Sequence, residues 1–458
     1  MNLIRRCILT FLILGLVNKG FGQDNKAEIK LSITEAQTYA LQNNRSVQSA
    51  KIDVSSAGKK VWETIAMGLP QLSLSTNYQH QFVIPELSFG PYLDVMSLPA
   101  GTLTKNDFLA AYKDSPLISL GVKNNTTFDF TLSQLIFSGE YIVGLQAIKV
   151  FKEISEKSLV KTEAMTKESV ASTYSLVLVL GENIRVLNES LKAIDQTYND
   201  LTKMNQQGFN EETDVDQIRI NRSNIQTLIT SLISQKEISM KLLKFQLGID
   251  FSQTLLLTDS LPGIINTGNM QYLSAPVFNL ENSVDYQMIS NLEKVSELSL
   301  KREQSKYLPT ISAFYRRHEQ TNQPSFNFNV KDLVGVSLNI PIFTSGMRSS
   351  KVSQARFDLE KSRLNKDNTG QGLIMEFETA QSNYQTVFSN YTINKESMTL
   401  SKKVYDKTVI KYKEGVATSF ELTQNQNQYL TSESNYYNSV LSLLNAKAKL
   451  DRILGSNQ

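Results

Sequence analysis

The stretch Leu176–Leu201, LVLVLGENIRVLNESLKAIDQTYNDL, decides the fold. Its residues Val177, Leu180, Ile184, Leu187, Leu191, Ile194, Tyr198 and Leu201 step 3, 4, 3, 4, 3, 4, 3. A period of about 3.5 is a coiled-coil seam, narrower than the face of a globular helix. No proline interrupts the chain from Gly139 to Gln207. At about 1.5 Å per residue this predicts a rod near ~100 Å, where ordinary helices run roughly 11–12 residues.

Outward from this rod the sequence repeats. After Gly208 a second helix is expected over Asp214–Leu247, and Gly208–Gln217 matches Gly415–Gln424 at an offset of 207. Leu247-Gly248 matches Leu454-Gly455 at the same offset. Upstream, Leu69-Pro70-Gln71-Leu72 matches Leu308-Pro309-Thr310-Ile311 at an offset of 239, and Phe137-Ser138-Gly139 pairs with Phe343-Thr344-Ser345-Gly346. The offset changes because the first half carries extra residues in the region 83–125, where Pro85, Pro91, Pro99 and Pro116 predict an ordered loop excursion. The chain thus divides into a first repeat over 23–250, a joining segment over 251–282, and a second repeat over 283–458.

The second copy of the seam reads Tyr384, Val387, Tyr391, Asn394, Met398, Ser401, Tyr405 and Thr408. It keeps the register but turns polar and aromatic, which predicts a partly wetted surface. The following helix carries Gln424-Asn425-Gln426-Asn427-Gln428 and Asn435-Tyr436-Tyr437-Asn438. Such a stretch does not suit a dry core, and a helix lining water is expected. Near the start, Ser32-Ile33-Thr34-Glu35 is a capping box opening a helix that should run to about Met67, before Gly68 and Pro70.

Four segments alternate with period 2, at about 70–80, 126–137, 309–319 and 333–343. Leu72, Leu74, Thr76 and Tyr78 oppose Ser73, Ser75, Asn77 and Gln79, and Val334, Val336, Leu338 and Ile340 oppose Gly335, Ser337 and Asn339. Each has one apolar and one wet face and the length of a tilted membrane strand. Four strands cannot close a barrel, and open edges are not tolerated in lipid. If they span a membrane, the barrel is shared between chains: two chains give a filled interior, three give room for a pore.

Arg5 and Arg6, the apolar run Ile8–Val17 and the small residues Gly20 and Gly22 read as a secretory signal over 1–22. No other window approaches 18 consecutive apolar residues, so no spanning helix is expected. Cys7, the single cysteine, falls within the signal. Lys+Arg number 47 and Asp+Glu 44, and loss of Arg5, Arg6 and Lys19 leaves the rest neutral. This argues against nucleic acid as a partner. With two His and one Cys, little remains for a zinc site, a thiol nucleophile or a His-based acid/base pair. His80 and His318 stand near strand ends with no accompanying base or ligand spacing, so no enzyme, cofactor or metal is expected.

The duplicated block resembles the TolC family of outer-membrane efflux channels. The resemblance rests on Leu31-Ser32-Ile33-Thr34-Glu35-Ala36 with Asn43-Asn44, on Leu69-Pro70-Gln71-Leu72, on Ile340-Pro341-Ile342-Phe343 with Gly346, and on Tyr412-Lys413-Glu414-Gly415-Val416-Ala417-Thr418-Ser419. Taken in order it covers nearly the whole chain after the signal. It implies a mostly α protein with a membrane β-barrel portion: a homotrimer whose 12-stranded barrel continues into a helical coiled-coil barrel across the periplasm. It implies a passive exit duct in the outer membrane of a Gram-negative cell. The partners implied are outer-membrane lipid, a periplasmic adaptor and an inner-membrane pump, whose class the sequence does not distinguish.

The resemblance also implies site residues. Gly208 and Gly415 are the helix tips that the adaptor touches. Glu421 belongs to an acidic ring at the closed periplasmic entrance, with Gln424 where a second acid is often found. Tyr412 resembles the tyrosine that tethers neighbouring helices through an acid at the Asp214 position. Ala417 stands where the family often has an arginine, which puts one closing link in doubt. The physics of the gate is general: three copies of one acid around an axis repel each other and attract cations. An acid in a helix's first turn also complements the dipole, and both roles can hold at once. Two other readings remain: a type I protein secretion channel of the same fold, and a periplasmic coiled-coil scaffold that never enters a membrane.

Overall fold

The computed structural model describes residues 28–88, 117–266, 278–323, 327 and 329–455. The expected signal over 1–22, most of the loop excursion and part of the joining segment lie outside the described residues. In chain order the elements are β1 (Ile29–Leu31), α1 (Ile33–Asn43), α2 (Arg45–Ala66), β2 (Gln71–His80), β3 (Glu86–Ser88), β4 (Leu117–Ser119), β5 (Asn124–Phe137), α3 (Gly139–Gln206), α4 (Glu212–Leu247), β6 (Leu255–Leu257), α5 (Leu261–Asn266), α6 (Val284–Ser305), β7 (Thr310–Gln320), β8 (Asp332–Asn339), α7 (Met347–Lys413) and α8 (Ser419–Leu454). The chain is mostly helical, and α3 and α7 run to 68 and 67 residues.

Two compact units form, each drawing on both halves of the sequence: Met1–Lys51, Ser158–Tyr286 and Gly370–Gln458 make one, Ile52–Lys157 and Gln287–Thr369 the other.

The second unit holds the four-stranded sheet, antiparallel throughout, in the order β2-β5-β7-β8. Directly paired residues share a face. The pairs Leu72↔Leu132, Leu74↔Phe130, Leu132↔Tyr315, Tyr315↔Val334 and Ala313↔Val336 therefore build one apolar face. Ser73↔Thr131, Ser75↔Asp129, Asp129↔His318 and Ser312↔Ser337 build the polar one. The apolar face is uncovered: Leu72 is 74% exposed, Val334 76% and Val336 68%. Arg317, hydrogen-bonded to Glu319 at 2.8 Å, bounds this band at one end. The sheet does not close, and β2 and β8 are its free edges.

The first unit is built on the long helices. Leu187, Ile194 and Leu201 of the opening seam are buried with Ile218 and Ile225 of α4, Tyr405 of α7, and Leu422 and Tyr429 of α8. A second cluster joins Val179 to Tyr384, Tyr391, Tyr437, Val440 and Leu443. The most apolar 18-residue window of α3 has the composition of a membrane span, yet 56% of it is buried within the protein. At the other end of the unit, β1 pairs parallel with β6, and the Tyr174 hydroxyl donates to Leu31 O at 3.0 Å and Asp259 Oδ2 at 2.9 Å.

Two expectations change, and a third is met. The first helix is broken: its capping box forms at Ser32 and Glu35, but the chain leaves the helix at Asn44 (φ −62°, ψ 129°). There Asn44 Oδ1 accepts from Ser46 N and Val47 N, at 2.8 and 3.2 Å, and caps α2, while its Nδ2 donates to Gln246 O at 2.6 Å. A short polar side chain competes with the backbone and supplies a new start. The second seam is half buried: Tyr384, Tyr391, Tyr405 and Thr408 are buried, whereas Val387, Asn394, Met398 and Ser401 keep partial exposure. The Tyr405 and Tyr429 rings stack at 5.8 Å, and Thr408 Oγ1 accepts from Asn425 Nδ2 at 2.9 Å. The amide-rich stretch is only half outside. Gln424, Asn427 and Gln428 are exposed, whereas Gln426, Ser432, Glu433 and Tyr437 are buried.

Candidate functional site

The tips of the two helical hairpins concentrate the residues singled out by sequence. Each hairpin turns on a glycine with left-handed backbone, Gly208 at φ 79° and Gly415 at φ 72°. Around the first, Gly208 N donates to Asn205 O at 2.9 Å and Phe209 N to Met204 O at 3.0 Å. Around the second, Gly415 N donates to Tyr412 O at 3.0 Å and Val416 N to Lys411 O at 2.9 Å. Both are Schellman closures, which glycine alone accommodates without strain. The turns expose Phe209, Val416 and Phe420, each above 70%.

Behind the turns α4 and α8 begin. Asp214 lies in the first turn of α4 and accepts a hydrogen bond from the Ser419 hydroxyl at the start of α8. Tyr412, half-buried on the last turn of α7, feels the same carboxylate: burial first, and then the Asp214 charge, push its hydroxyl up to about 12. A cavity of about 700 Å³ opens here, lined by Leu201, Met204, Phe209, Asp214, Tyr412 and Ser419 among others. Ala417 is buried beside it.

Glu421 lies in the same first turn of α8, two residues after Ser419. Its backbone N–H donates to Thr418 Oγ1 at 3.2 Å, and its side chain is exposed. Gln424, three residues on, shares that exposed side. The structure thus gathers Asp214 and Tyr412 around one cavity, with Gly208 and Gly415 in the turns beside them. Glu421 and Gln424 face outward from α8. Sequence reading missed Ser419, which no local spacing links to an acid 205 positions earlier. It also missed the buried Glu433.

The sequence pattern of the family described as outer membrane efflux protein matches residues 294–456. This segment is similar to the outer membrane efflux protein family. The fold of solved outer membrane channels extends over nearly the whole chain. CusC, solved in a study of folding and transmembrane channel formation, superposes with a TM-score of 0.73 at 14% identity, covering 95% of each chain. The Campylobacter jejuni outer membrane channel CmeC gives 0.70 at 16% identity, over 96% of this chain and 90% of the other. The open state of the Neisseria gonorrhoeae channel MtrE gives 0.72 at 14%, over 93% and 89%. No curated protein matches the sequence.

Proposed function

We propose that this chain is a passive exit duct of the outer membrane and that it works as a homotrimer, docked through its helix tips to a periplasmic adaptor and an inner-membrane pump. The open sheet carries the reading. Four strands leave the outer edges of β2 and β8 unpaired and an apolar face bare. Three copies supply twelve strands, enough for a barrel with a bore, whereas two would fill their own interior. Lipid then covers the apolar face, and the Ser73, Asp129 and Ser337 face lines the pore. A periplasmic scaffold gives no account of an uncovered apolar sheet.

The helices support the same assembly. Away from its buried seam, α7 exposes Ile393, Leu400 and Val404 in steps of 7 and 4, each at least half exposed, with Lys403 and Lys407 beside them. A helix with apolar residues on two sides needs a neighbour on each, as in a closed wall of helices. At its periplasmic end, Asp214, Tyr412, Glu421 and Gln424 form the gate. Tyr412 and Asp214 tether it, and three copies of Glu421 ring the entrance. Each repeat, 23–250 and 283–458, contributes two strands and one long hairpin to each third of the wall.

The test is cross-linking. Cys7 is the only cysteine in the sequence, so Leu74→Cys with Val336→Cys, joined by a flexible bis-maleimide in outer-membrane vesicles, reports only on β2 meeting β8 of another copy. Bands ending at the trimer are expected. Monomer alone, or nothing beyond dimer, would overturn the assembly.

A further inference from the structure

One carboxyl lies inside the helical wall. Glu433 of α8 is 2% exposed, the only acid or base among the buried residues described. Its Oε1 accepts a hydrogen bond from the Tyr429 hydroxyl at 3.1 Å, while Oε2 has no partner. Two turns earlier on the same face, Gln426 is also 2% exposed, and its Nε2 is likewise unpartnered.

The Glu433 layer separates two apolar clusters. On the side of the tips, Tyr429 packs with Leu187, Ile194, Ile225 and Tyr405. On the other side, Tyr437 packs with Tyr384, Tyr391 and Val440. Glu433 stands four residues from each tyrosine and belongs to neither cluster. From α3 it faces Arg185, already tied to Glu182 and Glu189 at 2.5 and 2.6 Å, and the repelling charge of Glu189. From α7 it faces Lys402, which is exposed. α4 contributes Ile225 and Ile229 to the tip-side cluster and adds none of the charges that act on Glu433. Neither cation pairs with the carboxylate.

We propose that Glu433 is a proton-dependent latch in the wall: with its proton it is a neutral member of the core, and without it the layer between the two clusters loosens and the tip-side bundle gains freedom. A half-satisfied buried carboxylate is the costly form, so the loss of the proton is where the wall yields. Burial holds the carboxyl up to about 7, against 4.5 in its ordinary state. The stabilisation is therefore complete below the unfolded value and is lost as pH rises through about 7. The consequence for transport rests on the reading of the chain as a duct; the proton site itself does not.

The test compares the intact protein with Glu433→Gln in detergent, by thermal unfolding and by amide exchange over residues 426–440, at pH 5 and pH 8. The melting temperature of the parent should fall by several degrees and its exchange, corrected for the intrinsic rate, should rise at pH 8. In Glu433→Gln both should stay flat, near the parent's pH 5 values. Parallel pH curves for the two proteins would overturn the latch. If Glu433→Gln does not fold, Tyr429→Phe serves instead. It removes the one bond that favours the charged form, so the transition must move to higher pH, and an unmoved transition would overturn the latch equally. In planar bilayers the parent's conductance should rise between pH 5 and pH 8 and that of Glu433→Gln should not. A stability transition without any channel activity would overturn the duct and leave the proton site standing.

Discussion

The Ser419 hydroxyl donates a hydrogen bond to the Asp214 carboxylate, tying the first turn of α8 to the first turn of α4 across 205 residues of sequence. Both groups sit at helix N-termini, where a negative charge is favoured, so Asp214 serves both ends at once. In the gate proposed above, such a tie yields when a partner offers its groups better contacts than they make with each other.

Ser419→Ala should loosen the tips. A hydrogen bond to a charged group contributes roughly 1.5–3 kcal/mol, enough to shift a closed tip measurably toward the open form. Single-channel conductance should rise, and Asp214→Asn should do the same. Unchanged conductance in both variants would count against the tie as a closing link.

On the proposed gate, Tyr412→Phe combined with Glu421→Ala should raise single-channel conductance, the one removing the proposed tether and the other the proposed charge ring. Glu421→Gln alone should lower the cation-to-anion permeability ratio, measured as a reversal potential in a salt gradient. No change in that potential would remove Glu421 from the permeation path.

The two faces of the sheet should respond oppositely to one substitution. Val336→Arg places a charge on the apolar face, at a cost of roughly 2–4 kcal/mol near a bilayer midplane, and should reduce heat-resistant assembly in the outer membrane. Ser337→Arg, its neighbour on the polar face, should assemble normally. Equal defects in both would contradict the assignment of faces.

Arg452 of α8 binds Glu168 of α3 and Glu376 of α7, each at 2.7 Å. Arg452→Met leaves two carboxylates without their cation. The expected loss is roughly 2–3 kcal/mol, less than the roughly 3–5 of a fully buried pair, because the side chain keeps 21% exposure. A denaturant midpoint equal to the parent's would show that solvent already screens the triad.

Asn44→Ala should destabilise the chain by roughly 1–2 kcal/mol, the usual worth of a lost N-cap, and should raise helicity locally as α1 and α2 become free to join. Chemical denaturation followed by circular dichroism reads both effects.

Much of the architecture was legible one residue at a time. A step of 3 and 4 along Val177–Leu201 can only be a helix buried on one narrow side, and α3 buries Leu187, Ile194 and Leu201. Strict alternation along Leu72–Tyr78 puts like residues on one face, and β2 shows that alternation paired with β5. The turn glycines announce themselves because no other residue takes their backbone cheaply. The candidate site was less legible. Tyr412 and Asp214 could be marked, but the partner that Asp214 actually holds, Ser419, could not. Nor could the break at Asn44, where two weak preferences compete within one polar side chain.

Periodicity is local, and so it settled the long helices, the two-faced strands and their order along the chain before any coordinates. Which face of α8 turns inward is a matter of how that helix is rotated against three others. Only tertiary packing sets that rotation. It buried Gln426 and Glu433 while leaving Gln424 and Asn427 outside. It also ordered the sheet β2-β5-β7-β8 with both edges free, because strand pairing is a choice among distant segments that no single segment encodes.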